Sequence, residues 1–225
     1  MSTPSEALAA LRSPFQQRQG RAHTPDTGEI SAERLAAVEA HAVTVRAWNP
    51  HLIPGLLQTT RYATGAITSA RPSLPADDVQ RYAHHRAARA DQFLQRWGNV
   101  AHAEAAWFAI GEDAIRQPIA HNQAHRAQLQ HLLNVMDLPR IHVRIVPADR
   151  PVPGRTGQLA LYGLAHGAGG RERGARLGYL ESSIGAWYTL RSADVARLHT
   201  VFDGIIDVAL SADDTRSRIL EELAA

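Results

Sequence analysis

The 225-residue sequence contains no cysteine and no lysine. The absence of cysteine excludes disulfides, thiolate nucleophiles, iron–sulfur clusters and cysteine-based zinc sites. The absence of lysine excludes Schiff-base chemistry and the lysine of a Walker-type phosphate loop. No run of about 18 apolar residues is present, and the N-terminal segment lacks the apolar stretch of a secretory signal. We therefore expect no membrane contact and a cytoplasmic location.

The charge balance does not point to a nucleic acid partner. The 24 basic residues are all arginines and face 22 acidic residues, so the formal net charge is +2. Because arginine stays charged to high pH, this small surplus explains the sequence pI of about 9.4. No block of consecutive arginines appears, so the composition does not indicate a basic surface for binding a DNA duplex.

Helical spacing dominates the first part of the chain. Ser31 is a candidate N-cap, and Leu35, Val38 and Ala42 follow it at helical spacing, which predicts a helix to about Trp48. Further helices are predicted over 54–69, 77–97, 112–117, 122–136 and 192–210, with a last one capped by Ser211. The helix over 77–97 has a stripe that we expect to be buried, which consists of Val79, Tyr82, Ala83, Arg86, Ala90 and Phe93.

Strand patterns cluster late in the chain. In the clearest one, Ile141, Val143 and Ile145 alternate with His142 and Arg144. The predicted strands span 103–110, 141–146 and 158–164, and a hairpin pairs 176–181 with 187–190. Helices first and strands late predict an α+β fold, with a small, mostly antiparallel sheet packed against several helices. We expect one domain over 35–225, preceded by an N-terminal extension or linker over 1–34.

The segment Ile53 to Ala63 (IPGLLQTTRYA) resembles the signature of a widespread bacterial domain of unknown function. Other parts of the chain resemble further motifs of that family, in the family's order, and together they cover about residues 35–220. These motifs are Trp48-Asn49-Pro50, the arginines Arg86 and Arg89, residues 112–116, the QLxxL helix at Gln128, the strand 141–147 and Tyr179-Leu180-Glu181.

Members of that family usually form the C-terminal part of helix-turn-helix regulators of the xenobiotic-response-element type. The resemblance therefore implies ligand sensing or partner binding in transcriptional regulation. Only some 35 residues precede the matched region, too few for a DNA-binding head of packed helices, so we expect no direct DNA binding. The expected partners are a small-molecule ligand or substrate and a regulator protein. One departure from the family pattern is Ala90 after Arg89, where the family typically has glutamine.

Polar residues of the predicted strands form a candidate site. Because alternate residues share one face of a strand, His142 and Arg144 point away from the apolar face, and Tyr179 and Glu181 share a face of theirs. We predict that these side chains converge in a polar pocket that holds an anion or amide and moves a proton. The alternative is that this face of the sheet is simply exposed to solvent.

Separate arguments support Trp48, Gln58, Glu181 and Glu112 as candidate residues. Trp48 flanks the signature and Gln58 belongs to it, and both are assigned to ligand binding with the strand residues His142, Arg144 and Tyr179. Glutamate is depleted in strands, which makes Glu181 the first candidate for general acid/base chemistry. Glu112 is the second, although a charge at a helix N-terminus is its simpler role.

Histidine spacing suggests little metal chemistry. His121 and His125 stand at i and i+4, as two ligands of one metal can, but no third ligand is placed beside them. His102 and Glu104 extend the polar face only if the preceding strand starts early enough. We expect neither a metal nor a cofactor.

Two other functions stay open at this point. The chain is alternatively a small cofactor-independent enzyme of secondary metabolism, a cyclase, isomerase or hydrolase, with Glu181 or Glu112 as acid/base. The third possibility is a pure protein-interaction module. An enzyme predicts a perturbed carboxylate in a closed pocket, a sensor predicts a pocket without a positioned acid/base pair, and an interaction module predicts no cavity.

Overall fold

The computed structural model describes residues 25–26, 29–98, 105–119, 121–153, 157–164, 176–182 and 185–225. Helices and strands are interspersed in the first part of this range, and the last four strands follow one another before the last two helices. The helices are α1 (Glu29–His41), α2 (Thr60–Ala70), α3 (Ala76–Gly98), α4 (Asp113–Arg116), α5 (Asn122–Met136), α6 (Ser192–Val208) and α7 (Ala212–Ala224). The strands are β1 (Pro25–Asp26), β2 (Ala42–Asn49), β3 (Ala105–Gly111), β4 (Ile141–Val146), β5 (Leu159–Leu164), β6 (Arg176–Ser182) and β7 (Gly185–Thr189).

All seven strands form one sheet, in the order β1-β7-β6-β5-β2-β3-β4. The pairs from β1 to β2 are antiparallel, whereas β2, β3 and β4 run parallel to one another. The fold is α+β, but the prediction of a small, mostly antiparallel sheet is wrong, because the sheet is mixed and has a parallel half. Parallel neighbours require long crossover connections, and the helices α2 to α5 lie in the two crossovers.

The parallel part of the sheet was missed because β2, the first of its three strands, lies where a helix was predicted. α1 ends at His41, and β2 begins at once with Ala42. The segment AVTVRAWN carries β-branched residues that suit a pleated surface, and in this strand Thr44 and Arg46 are the half-buried positions between buried ones. The helical spacing of Leu35, Val38 and Ala42 therefore ends at the first residue of the strand. Beyond that residue, the β-branched side chains favour a strand over the predicted helix.

The sheet is covered on both faces. One face carries the larger core, to which α1, α2, α3, α5 and α7 contribute side chains such as Val38, Trp97 and Leu132. The other face carries α6, which packs Phe202 and Ile205 against apolar side chains of the central strands. Because successive side chains of a strand point to opposite faces, each residue's place in this alternation decides whether it packs in the larger core or under α6.

The signature segment does not form the single helix predicted over 54–69. Gly55–Leu57 make one 3-10 turn, the backbone is extended at Gln58 and Thr59, and α2 then begins at Thr60. The Thr59 Oγ1 accepts a hydrogen bond from the Tyr62 N–H at 3.4 Å and so caps α2. The break in the helix turns the Gln58 side chain inward, where it is buried.

Two of the sequence predictions agree with the structure at both ends, the helix Asn122–Met136 and the strand Ile141–Val146. The division of the chain into an extension over 1–34 and a domain over 35–225 stays a prediction. None of the helices in the described ranges combines the length and the apolar character needed to cross a bilayer.

Candidate functional site

The structure divides the predicted strand residues between the two faces of the sheet. Ile141, Val143 and Ile145 enter the larger core, so His142 and Arg144 lie on the α6 face of β4. On β6, Tyr179 belongs to the larger core, and its neighbour on that face is Glu181. The predicted convergence of all four side chains in one pocket therefore does not occur. His102 and Glu104 lie outside the described residues.

On the α6 face, His142 and Arg144 gather around one tryptophan. The His142 ring stacks on Trp107 of β3, with centroids 4.2 Å apart and an interplanar angle of 29°. The Arg144 guanidinium lies 5.4 Å from the Trp107 ring centroid. Burial and then the charge of Arg144 lower the pKa of His142, which favours the neutral ring. This stack is accounted for by mutual packing at the edge strand.

Trp48 and Glu112 have structural surroundings. Trp48 is buried in the layer beneath α6. Glu112 is buried after β3, where its Oε2 accepts a hydrogen bond from the Ala148 N–H at 2.9 Å. Its Oε1 pairs with Arg218 of α7 and lies 3.3 Å from Arg116 Nη2. The carboxylate is thus neutralised by two arginines and joins β3 to the last helix.

The histidine pair of α5 is also separated by its contacts. His121 caps the helix, and its Nδ1 accepts a hydrogen bond from the Gln123 N–H at 3.4 Å. His125 is buried and its Nε2 lies 2.8 Å from the Ile115 carbonyl oxygen, to which it donates. Among the described residues no group of three potential metal ligands occurs.

On the opposite face, Gln58, Tyr179 and Glu181 surround Arg86 of α3. The Arg86 Nη1 donates to the Gln58 Oε1 at 3.0 Å, and Gln58 Nε2 donates to the Ile53 carbonyl at 2.6 Å. Burial and then the charge of Arg89 lower the pKa of Arg86, and the negative charges of Glu181 and Glu39 oppose that lowering. Three of the predicted site residues are therefore brought together, around an arginine.

Arg89, one helical turn further, pairs with a glutamate at the end of α1. Its Nε lies 2.9 Å from the Glu39 Oε2, and both side chains are largely buried, with exposed fractions of 13% and 6%. Burial raises the pKa of Glu39, and the charge of Arg89 and a hydrogen bond from Tyr162 oppose that rise. The Arg89 Nη2 also donates a hydrogen bond to the Glu39 Oε1 at 3.4 Å, so charge and hydrogen bonding together hold this pair.

Three tyrosines of the antiparallel strands lie next to these charges. Tyr162, Tyr179 and Tyr188 are buried, and the rings of Tyr179 and Tyr188 are 5.2 Å apart at 59°. Burial raises the pKa of Tyr162 and of Tyr179, and the nearby Glu39 and Glu181 charges raise them further. The phenols of Tyr162 and Tyr179 therefore stay protonated and carry neutral O–H groups.

A chain of hydrogen bonds from side-chain amides holds Glu181 in position. Gln158 Nε2 donates to the Glu181 Oε2 at 2.9 Å, and Asn49 Nδ2 donates to the Gln158 Oε1 at 2.8 Å. The Asn49 Oδ1 in turn accepts from the N–H groups of His51 and Leu52 at 3.1 and 2.9 Å. The end of β2 thereby fixes an exposed carboxylate on β6.

The signature loop is clamped from α5. Gln128 is fully buried; its Nε2 donates to the Leu57 carbonyl and its Oε1 accepts from the Thr59 N–H, each at 2.7 Å. The loop packs against the arginines, because a Cβ on Gly55 would lie 3.8 Å from Arg89 Nη2 and 3.9 Å from the Arg86 Cδ. We call Arg86, Arg89, Glu39, Glu181 and the three tyrosines the arginine site.

Sequence reasoning missed part of this site. Glu39 and Tyr162 were not among the candidates, since neither carries a local signal that links it to residues far away in the chain. Arg86 and Arg89 were noticed as motif residues but not assigned a role. The available signal was Arg86 at an inward position of the α3 stripe, because a charge on a buried face needs a partner.

The arginine site and the amides that contact it come from several of the motifs that carry the family resemblance. The signature supplies Gln58, the Trp-Asn-Pro motif supplies Asn49, α3 supplies the arginine pair, and β6 supplies Tyr179 and Glu181. A protein-family model described as "Domain of unknown function (DUF5753)" matches residues 32–221. No curated protein and no solved structure matches the chain. Since the match spans most of the sequence, the chain belongs to the DUF5753 family of domains of unknown function.

Proposed function

We propose that the chain is a ligand-sensing regulatory domain and that its ligand binds Arg86 through an anionic group. The observation that carries this proposal is the state of the Arg86 guanidinium. It has five N–H donors. Within the described ranges, it makes one hydrogen bond, to Gln58, and no carboxylate oxygen lies within 4.0 Å of it. Donors of this kind, arranged as a planar fork, suit a carboxylate or a similar anion.

The electrostatics of α3 support the same proposal. Arg86 is half-buried, and its pKa is lowered first by burial and then by the like charge of Arg89. Arg89 already has Glu39 as its partner, whereas Arg86 has the neutral Gln58. An anion at Arg86 would raise the pKa of Arg86 again. Its negative charge would compensate for the water that burial removes and would offset the repulsion from Arg89.

Helix α1 is the element that would respond to occupancy. Its Glu39 pairs with Arg89, and Arg96 Nη2 donates to the Glu39 carbonyl at 2.7 Å while Nη1 donates to the Ala40 carbonyl. An anion beside Arg86 changes the field at Arg89 and therefore the strength of its pairing with Glu39. A ligand shifts α1 only to the extent that it binds two positions of the helix differently.

Native mass spectrometry of the protein purified from its own host tests this proposal. We expect a retained small molecule in the wild type and in Arg81→Met, an exposed arginine of the same helix, and its loss in Arg86→Met. Circular dichroism and thermal unfolding check that both variants fold. Equal retention in Arg86→Met, or no retained molecule in the wild type and no binding of added organic acids, contradicts the proposal.

A second candidate function has one specific observation in its favour. Burial raises the pKa of Glu39, whose Oε1 accepts a hydrogen bond from the Tyr162 hydroxyl at 3.4 Å, and a buried carboxyl group with a raised pKa is the type of group that serves as a general acid or base. The enzyme predicts that the retained molecule is converted to a product of different structure and that Glu39→Gln abolishes the conversion without abolishing retention. A retained molecule that is released unchanged rejects it.

A further inference from the structure

The charges of the arginine site balance within the site itself. Two arginines, Arg86 and Arg89, face two glutamates, Glu39 and Glu181. A ligand with a net charge of −2, such as a phosphate monoester, would meet two carboxylates as well as two guanidinium groups. A ligand without net charge, but with its own charges held apart, would meet complementary charges at each end.

Among the described residues, Glu181 resembles Arg86 in being a charged residue of the site without an ionic contact. The partners of its carboxylate are both neutral, the Gln158 amide at 2.9 Å and the Tyr179 hydroxyl. In the part of the chain that the structure describes, no arginine or histidine nitrogen lies within 4.0 Å of it. Glu181 is exposed, so a ligand can reach it. It nevertheless acts electrostatically on Arg86.

We propose that the ligand is a small zwitterion of the amino-acid type, with its carboxylate on Arg86 and its protonated amine at Glu181. This inference rests on the function proposed above and specifies the ligand. The Tyr179 ring lies on the same sheet face as Glu181, and burial raises the pKa of its hydroxyl, so Tyr179 adds no charge to the site. Arg89 and Glu39 neutralise each other and leave the two outer charges to the ligand.

The test compares two ligands that differ by the amine alone, phenylalanine and 3-phenylpropionate, together with the other proteinogenic amino acids. Binding is measured by isothermal titration calorimetry on the full chain. The wild type should bind at least one amino acid about tenfold or more tighter than its deaminated analogue, in line with a hydrogen bond to a charged group. Glu181→Gln should remove that preference, and Arg86→Met should weaken both ligands of the pair.

Glu181→Gln is a suitable variant because the amide keeps an oxygen that accepts from Gln158. Glu221→Gln, an exposed glutamate of α7 with a 69% exposed side chain, is the matched removal of one negative charge and should leave the preference unchanged. The unfolding temperatures of both variants are also measured. If Glu181→Gln unfolds at the same temperature as Glu221→Gln, a lost preference arises from the missing charge and not from misfolding.

The outcomes separate this inference from the proposed function. If the deaminated acid binds as well as the amino acid and Arg86→Met abolishes both, the zwitterion is rejected and the anion site stands. If the molecule retained from the host lacks an amine on derivatisation with dansyl chloride, the zwitterion is also rejected. If neither a retained molecule nor any binding of the amino acids or acids is found, both proposals fail.

Discussion

The clamp formed by Gln128 can be tested by removing both of its hydrogen bonds at nearly constant volume. In Gln128→Met the Leu57 carbonyl and the Thr59 N–H lose their partners, each now at 2.7 Å. A buried polar group left without a partner costs about 1–3 kcal/mol. Leu57 is fully buried and Thr59 half-buried, so the second group lies at the lower end of this range. We expect a loss of roughly 2–4 kcal/mol in the free energy of unfolding.

Urea unfolding monitored by tryptophan fluorescence measures this loss. For a chain of this size it corresponds to a fall in Tm of roughly 4–16 °C. Gln130→Met on the same helix is the control, since Gln130 is exposed and bonds to the Asn134 side chain at 3.4 Å, and it should change stability by less than about 0.5 kcal/mol. A loss below about 0.5 kcal/mol in Gln128→Met, with an unchanged urea m-value, would refute the clamp.

Two further predictions concern other parts of the sheet. Gly111→Ala should destabilise the protein by about 1–3 kcal/mol, because its Cβ would lie 2.1 Å from the Pro50 carbonyl oxygen and the backbone must move. Gly98→Ala, whose Cβ meets nothing within 4 Å, should not, and equal thermal stability of the two variants would contradict this reasoning. His142 should titrate below the ordinary histidine value in NMR, and Arg144→Met should bring its pKa part of the way back, since burial is the larger cause. Because the folded pKa of His142 is the lower one, its contribution to stability falls as pH drops below the unfolded value of about 6.5.

Local patterns predicted the elements whose signals lie within a few residues. The strand at Ile141 alternates cleanly, and the helix from Asn122 has its cap and its apolar spacing in the same segment. The strand Ala42–Asn49 was missed because the residues before it are helical and its own partners start at residues 105 and 159. Its assignment depends on pairing, which a local pattern does not contain.

The candidate site was predictable to the same degree. Gln58 was singled out because it belongs to the signature, Glu181 because glutamate is depleted in strands, and Tyr179 because it shares a strand face with Glu181. Arg86 was recognised only as part of a helical stripe and of the arginine pair, and its contact with Gln58 spans 28 positions of sequence. His142 and Arg144 were grouped with them because alternation tells which residues share a face of one strand. It does not tell which faces of two distant strands coincide.

The interior position of β2 in the sheet has a consequence for the order in which the chain can fold. β2 is the first long strand to be synthesised, and its two neighbours are completed only at residues 111 and 164. Loop-closure entropy makes such distant pairings slow. During translation, one edge of β2 stays unpaired until β5 has left the ribosome, and an unpaired strand edge is a point at which other chains can attach. β2 therefore keeps one edge open to such contacts while residues 50–158 are being synthesised.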